Sequence, residues 1–195
     1  MSYLISEDFE SICNTVKIVP ISSETVGDIS QYSFDCGEAK EYETFLKTKA
    51  LALETIGVTR TFLIIHRETE ELIGYFSLSA DTVRLTPNEK SGTDLEIVDF
   101  MALPALKLGK LAINKSLSEK AQRRGYGSFV LDIVNTYAYE MLDNGVACRF
   151  VTVDADIEYN PDTPDFYEKN GFVPNLSRKR KDTDTTVSMR RDIFA

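Results

Sequence analysis

The order of apolar and polar positions predicts a chain that alternates between strands and helices. Val16–Ile21 alternates sufficiently to be a first strand, and Glu38–Thr55 carries apolar residues at mostly helical spacings, which predicts one long amphipathic helix. Arg60–His66 and Leu72–Ser79 are apolar, β-branched and aromatic runs separated by a short acidic segment, so they predict a β-hairpin. Thr86–Thr93 contains proline, asparagine and glycine and is predicted to be an exposed loop.

The second half of the chain continues this alternation and completes a mixed α/β fold with a central sheet. Pro104–Ile113 predicts a strand, and Ser128–Leu142 keeps a helical period that ends at Asn144 and Gly145, a natural C-terminal cap. Because 195 residues without a visible linker suit one domain, we expect a single domain over 1–195. The remaining predicted elements are a strand at Phe150–Val153, a helix at Pro164–Asn170 ended by Gly171 and a strand at Thr185–Met189.

Composition places the chain among globular proteins. Hydrophobic residues make up 43% of the sequence and charged residues 27%, a balance that disordered and fibrous chains do not have. No apolar run approaches the roughly 20 residues that span a bilayer. The segment Met1–Glu10 lacks the basic cluster and apolar stretch of a signal peptide. We therefore expect a cytoplasmic protein with no membrane partner.

The net charge of −9 argues against general nucleic-acid binding, because the field of the whole chain repels phosphate. Local patches of positive charge are compatible with this total. The simplest interpretation of such patches is a solvated face or loop. The basic residues concentrate in two stretches, one with Lys107, Lys110, Lys115, Lys120, Arg123 and Arg124 and the other with Arg178, Lys179, Arg180 and Lys181.

The cysteines and the histidine offer little support for metal or nucleophilic chemistry. Cys13, Cys36 and Cys148 are odd in number and far apart, which does not suit a disulfide framework or a metal site. We expect all three to be inert, largely buried small hydrophobes. His66 ends an apolar run and is interpreted as a strand-end residue rather than as a catalytic base.

The most informative segment is an apolar strand followed by Gln122–Gly127 and a long helix. Glycines let the backbone turn tightly so that successive N–H groups converge on an anion, and the helix adds its positive N-terminal end. Such a loop suits a pyrophosphate. Arg123 and Arg124 either add charge-assisted contacts to phosphate or point into solvent.

At this loop the sequence resembles the GNAT acetyltransferases. Gln122, Gly125 and Gly127 are similar to the Gln/Arg-x-x-Gly-x-Gly/Ala pattern by which that family holds the pyrophosphate of coenzyme A. The resemblance covers roughly Val16 to Arg190. It implies a GNAT-like, mostly antiparallel sheet flanked by helices, with acetyl-CoA as cosubstrate. It assigns coenzyme A binding to Leu111, Ala112, Ile113, Gln122, Arg123, Arg124, Gly125, Gly127, Ser128 and Asn160.

A second segment resembles the closing motif of the same family. Asn160 stands seven positions before Tyr167, and Gly171-Phe172 resembles the pair that begins the next strand. The prolines at 161 and 164 and Thr163 depart from the usual helix start, and residues 116–120 lengthen the approach to the loop. The resemblance implies that Tyr167 is the general acid that protonates the departing sulfur, and the alternative is a packing role for its ring.

Within the superfamily the chain resembles the TacT-type toxins. Phe34–Gly37, Arg60–Phe62, Gly74–Leu78 and Leu108–Ala112 carry this likeness. Toxins of that type acetylate the amino group of aminoacyl-tRNA and are paired with an antitoxin. The chain departs from them at Glu41-Tyr42, where Leu-Asp is usual, and its acidic charge weighs against a tRNA partner.

The implied reaction is direct attack of a neutral primary amine on the thioester carbonyl. A backbone N–H of Leu111–Ile113 would polarise the carbonyl oxygen. Glu96 and Asp99 are the side-chain candidates for the base, beside a chain of water molecules. Phe100 and Met101 are assigned to the core, with an acceptor cleft as the alternative.

Several functions stay open at this point. Acetylation of a primary amine is the main hypothesis, and acetylation of aminoacyl-tRNA by a toxin is its alternative. A non-catalytic acyl-CoA-binding module and an adaptor with an acidic face are rivals of other classes. The sequence leaves open the acceptor, the general base, an antitoxin partner and a homodimer.

Overall fold

A computed structural model describes residues 8–22, 29–177, 181 and 183–195 of the chain. Arg178, Lys179 and Arg180 of the second basic stretch lie outside the described residues, and Lys181 is exposed. The helices are α1 (Phe9–Thr15), α2 (Lys40–Thr48), α3 (Ala50–Thr55), α4 (Pro87–Lys90), α5 (Tyr126–Asp143) and α6 (Thr163–Lys169), with short 3-10 turns at Ile29–Gln31 and Asp94–Ile97. The strands are β1 (Val16–Pro20), β2 (Arg60–His66), β3 (Leu72–Arg84), β4 (Ala102–Ile113), β5 (Phe150–Asp156), β6 (Val173–Pro174) and β7 (Thr186–Asp192).

The strands form a seven-stranded sheet in the order β1-β2-β3-β4-β5-β7-β6. The β1–β2, β2–β3, β5–β7 and β6–β7 pairs are antiparallel, and the β4–β5 pair is parallel. The Asn114 N–H donates to the Ile73 carbonyl and the Leu85 N–H to the Met101 carbonyl, so β3 and β4 also run in opposite directions. The predicted fold class, a mostly antiparallel sheet with helices, is confirmed.

The contacts of the chain group into two compact units. The first comprises Met1–Ser79 and Gly109–Ile133, and the second comprises Ala80–Leu108 and Val134–Ala195. The single domain expected over 1–195 stays a prediction. Among the described residues, every helix is too short or too polar to cross a membrane.

The core of the first unit is built from strands β2 and β3 with the helices that pack on them. Leu63 and Tyr75 are fully buried there, and the Tyr75 hydroxyl donates to the Tyr42 carbonyl of α2 at 2.8 Å. The single helix predicted over residues 38–55 is wrong, because it is interrupted at Lys49. The hydroxyl of Thr48 donates back to the Thr44 carbonyl one turn earlier, a type of bond that bends helices.

In the second unit, the prediction of an exposed loop at 86–93 is wrong, because helix α4 forms within this segment. Thr86 and Glu89 form a capping box at the start of α4, where Pro87 occupies the first turn. Lys90 then turns inward and is 7% exposed, and its ammonium donates to the carbonyls of Val98 and Phe100. The sequence Thr-Pro-Asn-Glu carries the capping-box signal, which the glycine and asparagine content of the segment obscured.

Three further elements differ from the prediction: two strands are longer than predicted, and one helix was not predicted. β3 continues five residues beyond Ser79, and β5 three residues beyond Val153. Helix α1 was not predicted, and it leaves Cys13 exposed, so the expectation of burial is wrong for this cysteine and correct for Cys36 and Cys148. His66 is the last residue of β2, as predicted, and its Nδ1 accepts the Thr69 N–H.

Candidate functional site

The end of β4 holds the segment to which pantetheine binding was assigned. Ala112 is buried in the core of the first unit, whereas Leu111 and Ile113 are half-buried. β3 approaches this segment closely at Gly74, where an added Cβ would lie 2.5 Å from the Ala112 carbonyl oxygen. A side chain at position 74 would therefore force β3 away from β4.

Asn114 organises the chain where β4 ends. Its side-chain N–H groups donate to the carbonyls of Ser33 and Leu72, each at 2.9 Å. Its Oδ1 accepts the backbone N–H of Asp35 at 3.1 Å and that of Ser116 at 3.0 Å. Asn114 is only 6% exposed, so these bonds satisfy a buried amide. Asn114 was not predicted as a site residue because an asparagine after a strand is also common in an ordinary turn.

The loop before α5 has the backbone conformation that its glycines predict. Gly125 has φ +93°, in the region that favours glycine. Its carbonyl accepts the Phe129 N–H at 2.9 Å, which is the first bond of α5. The Tyr126 hydroxyl reaches back to the Ala121 carbonyl at 2.8 Å and closes the loop. The N–H groups of the first turn lack partners within the helix, so this end of α5 can accept an anion.

The side chains of the loop differ in what they contact. Gln122 and Arg124 are exposed, and Arg124 forms no ion pair with the described part of the chain. Arg123 instead points to α1, where it contacts Asp8 and Ser11. Gly127 and Ser128, the other members of the predicted site, are half-buried residues of the first turn of α5.

Most of the first basic stretch is neutralised by acidic partners. Lys110 lies 3.2 Å from Glu41, and its ammonium stacks over the Tyr42 ring at 4.3 Å. Within the described residues, only Lys115 and Arg124 of the six basic residues form no ion pair. The local positive charge is therefore smaller than the sequence suggests. The other pairs are Lys107–Asp154, Lys120–Glu68 and Arg123–Asp8.

Tyr167 lies in the second unit, on α6. It is 6% exposed, and its ring packs edge-on against Phe166 and Phe172. Its hydroxyl makes no hydrogen bond with the described residues. Burial, assisted by the negative charge of Asp156, raises the pKa of Tyr167 well above its usual value. The phenol therefore keeps its proton throughout the neutral range.

Asn160, the remaining predicted ligand of coenzyme A, precedes α6 and is exposed. Its Oδ1 accepts the Asp162 N–H at 3.1 Å, and its carbonyl accepts the Thr163 N–H at 3.1 Å. The side-chain oxygen is thus engaged in the turn that starts the helix. The role of Asn160 in binding stays a prediction.

The segment 96–101 holds the acids proposed as a base. Glu96 and Asp99 are exposed, and the Glu96 carboxylate accepts the Gly92 N–H at 2.6 Å. Phe100 and Met101 are 62% and 42% exposed, so their assignment to the core is wrong. The segment is attached through its backbone rather than through these two side chains, because the buried Lys90 ammonium donates to the carbonyls of Val98 and Phe100.

The fold has counterparts among solved structures. A tyrosine-to-phenylalanine mutant of KacT is 23% identical, with a TM-score of 0.65 over 90% of this chain and 95% of that one. AtaTR bound with acetyl-CoA is 19% identical, with a TM-score of 0.59 over 91% and 94% of the two chains. AtaT complexed with acetyl-methionyl-tRNAfMet is 22% identical, with a TM-score of 0.66 over 89% and 93%. No protein-family model matches the sequence.

The chain has the GNAT fold. This confirms the fold that the resemblance implied. At this level of identity the likeness concerns the fold, and the chemistry has to be argued from the residues of the chain.

The GNAT sheet of this chain carries a polar row that sequence analysis missed. Lys107 of β4 lies opposite Thr152 of β5, and its ammonium binds Asp154 at 2.8 Å. The Thr152 hydroxyl donates to Asp81 of β3 at 2.5 Å. Because alternate residues of a strand share a face, Asp156 lies on the same face of β5 as Asp154. The alternation of polar residues with Val153 and Ala155 was the available signal.

Proposed function

We propose that this chain is an acetyl-CoA-dependent N-acetyltransferase whose acceptor is the amino group of an aminoacyl-tRNA. The observation that carries the proposal is the loop before α5, with Gly125 at a positive φ and Arg124 unpaired among the described residues. This loop belongs to a fold shared with proteins solved with acetyl-CoA and with an acetylated aminoacyl-tRNA.

The residues present fit the pyrophosphate of coenzyme A. The N–H groups of residues 125–128 supply donors at a helix N-terminus, and Arg124 adds an exposed positive charge. The bond from Tyr126 to the carbonyl of Ala121 holds the loop against collapse. Leu111 and Ile113, which are half-buried, offer an apolar strand for the pantetheine arm.

Tyr167 is the proposed general acid. The acceptor's neutral amine attacks the thioester carbonyl carbon and forms a nitrogen–carbon bond, the carbon–sulfur bond breaks, and the phenol gives its proton to the departing thiolate. The amine nitrogen loses one proton to water in the same reaction, and a proton from water restores the phenol. A raised pKa keeps Tyr167 protonated, but it also makes full transfer to a thiolate, whose ordinary pKa is about 8.5, less favourable. The contribution of the phenol is therefore that of a hydrogen-bond donor that transfers its proton late.

The aminoacyl-tRNA acceptor is the finer part of the proposal. AtaT was solved with acetyl-methionyl-tRNAfMet, and the sequence likeness to TacT-type toxins points in the same direction. Within the described residues, four of the six basic side chains of the first stretch are paired with acids, so this stretch is expected to contribute few phosphate contacts to tRNA binding. An antitoxin partner is proposed by the same reasoning, since AtaT was also solved with the C-terminus of the antitoxin AtaR. A homodimer stays a prediction, and measurement of the mass of the protein in solution tests it.

Binding of acetyl-CoA is tested by thermal unfolding. Acetyl-CoA is expected to raise the melting temperature, because a ligand that binds only the folded state stabilises it. Gly125→Val is expected to abolish that increase. Gly145→Val is the matched control, since Gly145 has a similar φ of +82° and lies at the other end of α5. A normal increase with Gly125→Val would mean that the loop does not bind the cosubstrate.

The transfer half is tested by mass spectrometry of acceptors. The chain is incubated with acetyl-CoA and a charged tRNA pool, a free amino acid or a peptide. Acetylated aminoacyl-tRNA is the expected product. Acetylation of the peptide alone would replace the tRNA acceptor with an ordinary amine, and binding without transfer to any acceptor would indicate a non-catalytic acyl-CoA-binding module.

A further inference from the structure

Helix α1 packs directly on the loop proposed to hold pyrophosphate. Ile12 of this helix is fully buried, and the rings of Phe9 and Phe129 lie 5.2 Å apart. The position that a Cβ would take on Gly125 is 3.5 Å from Ile12 Cδ1. Helix α1 therefore lines one side of the loop. The charged residue that precedes this helix lies beside the proposed anion site.

That residue is Asp8. Its Oδ2 lies 3.7 Å from the position of a Cβ on Gly125, so a carboxylate stands next to the backbone that would receive a pyrophosphate. Arg123 faces this carboxylate, with Nη2 3.4 Å from Asp8 Oδ1, and its Nη1 donates to the Ser11 hydroxyl at 3.2 Å. An uncompensated carboxylate at this place would repel phosphate.

We propose that Arg123 is a positioning residue that masks Asp8, and that Arg124 is the loop's cation for phosphate. The inference rests on the proposed function, because it concerns how the same loop binds coenzyme A. The sequence presents Arg123 and Arg124 as equivalent neighbours. The structure separates them, since the guanidinium of Arg123 is engaged on α1 whereas Arg124 is exposed and forms no ion pair with the described residues.

The masking role of Arg123 and the phosphate-binding role of Arg124 predict different responses to removal of the Asp8 charge. If Arg123 acts only by masking, its loss matters only while the carboxylate is present. Arg123→Gln is therefore expected to weaken coenzyme A binding several-fold, and Asp8→Asn in the same chain to restore it to within about twofold, the range of exposed ion pairs. Arg124→Gln is expected to weaken binding to a similar extent, and Asp8→Asn should not specifically restore it.

The experiment is a calorimetric titration of the full chain and its variants with coenzyme A at low and raised salt. Melting without ligand shows which variants are folded, and Arg123→Met, which also removes the charge, replaces Arg123→Gln if the latter is unfolded. Equal affinity of Arg123→Gln with and without Asp8→Asn would mean direct phosphate contact by Arg123. Unchanged affinity in Arg123→Gln would overturn the masking role as well. Absence of binding by the unmodified chain would instead reject the proposed function, and this inference with it.

Discussion

The hydroxyl of Tyr126 donates to the carbonyl of Ala121 at 2.8 Å and spans the whole glycine loop. Tyr126 is 2% exposed and Ala121 is 1% exposed, so the bond is shielded from water. Burial raises the pKa of the Tyr126 phenol, which therefore remains a donor at neutral pH. The loop that must present its N–H groups to an anion is thus fixed at both ends.

Tyr126→Phe is expected to weaken acetyl-CoA binding by more than it weakens the fold. The unfolding free energy should fall by about 1 kcal/mol, the typical contribution of one hydrogen bond. The loop loses its closure, so calorimetric Kd for acetyl-CoA should rise at least several-fold. Tyr139→Phe is the matched control, because that hydroxyl also donates from α5 to a backbone carbonyl, at Ile193. Equal Kd values for the two variants would show that the closure does not matter for binding.

The ion pair between Glu89 and Arg190 predicts a defined dependence of stability on pH. Burial would raise the pKa of Glu89, but hydrogen bonds from Thr86 and Leu176 and the charge of Arg190 outweigh it and hold the pKa below its usual range. The folded pKa is below the unfolded value of about 4.3, so the ionised group stabilises the fold above that pH. This stabilisation is lost as the pH falls through the folded pKa.

Glu89→Gln is therefore expected to lower the unfolding free energy by about 1–3 kcal/mol at pH 7, since the Glu89 side chain is only 3% exposed. The difference between variant and unmodified chain should shrink below pH 4. Urea unfolding at pH 7 and pH 3 measures both values. Glu68→Gln removes an exposed ion pair with Lys120 and should change little at either pH. A difference that persists undiminished at pH 3 would mean that packing of Glu89, rather than its charge, is responsible.

The sequence predicted the parts of the fold that local patterns determine. The hairpin over β2 and β3 follows from two apolar, β-branched runs separated by a short acidic segment, and the end of α5 at Gly145 follows from a backbone conformation that favours glycine. The interruption at Lys49 and the inward turn of Lys90 depend on tertiary contacts, which a local pattern does not contain. The same limit applies to the candidate site. Both arginines of the loop fit a phosphate motif, and only the packing of α1 separates Arg123 from Arg124.

The polar row on β5 changes which acid is expected to matter for the acceptor amine. Asp154 is held by Lys107 on the sheet, next to Thr152 on the same face, whereas Glu96 and Asp99 lie on an exposed segment. Asp154→Asn is expected to lower kcat/KM at least tenfold, because an amide cannot accept the proton of the acceptor amine. Glu96→Gln and Asp99→Asn should remain near the unmodified rate. Loss of activity in either of these two, with Asp154→Asn active, would return the base to the segment 96–101.

Tyr167→Phe is expected to lower turnover while leaving acetyl-CoA binding nearly intact. The change removes one hydroxyl that bonds to none of the described residues, and it keeps the ring that packs against Phe166 and Phe172. General-acid assistance typically contributes about 10²- to 10⁴-fold. Because thiolate leaves tolerably well unprotonated and the raised pKa opposes full transfer, the loss should lie near the lower end of that range. It should appear in kcat rather than in binding, as for an interaction made mainly in the transition state. Steady-state kinetics with the best acceptor, beside a thermal shift with acetyl-CoA, measure the two effects separately. Full turnover with normal binding in the variant would make Tyr167 a packing residue and assign the proton to water or another group.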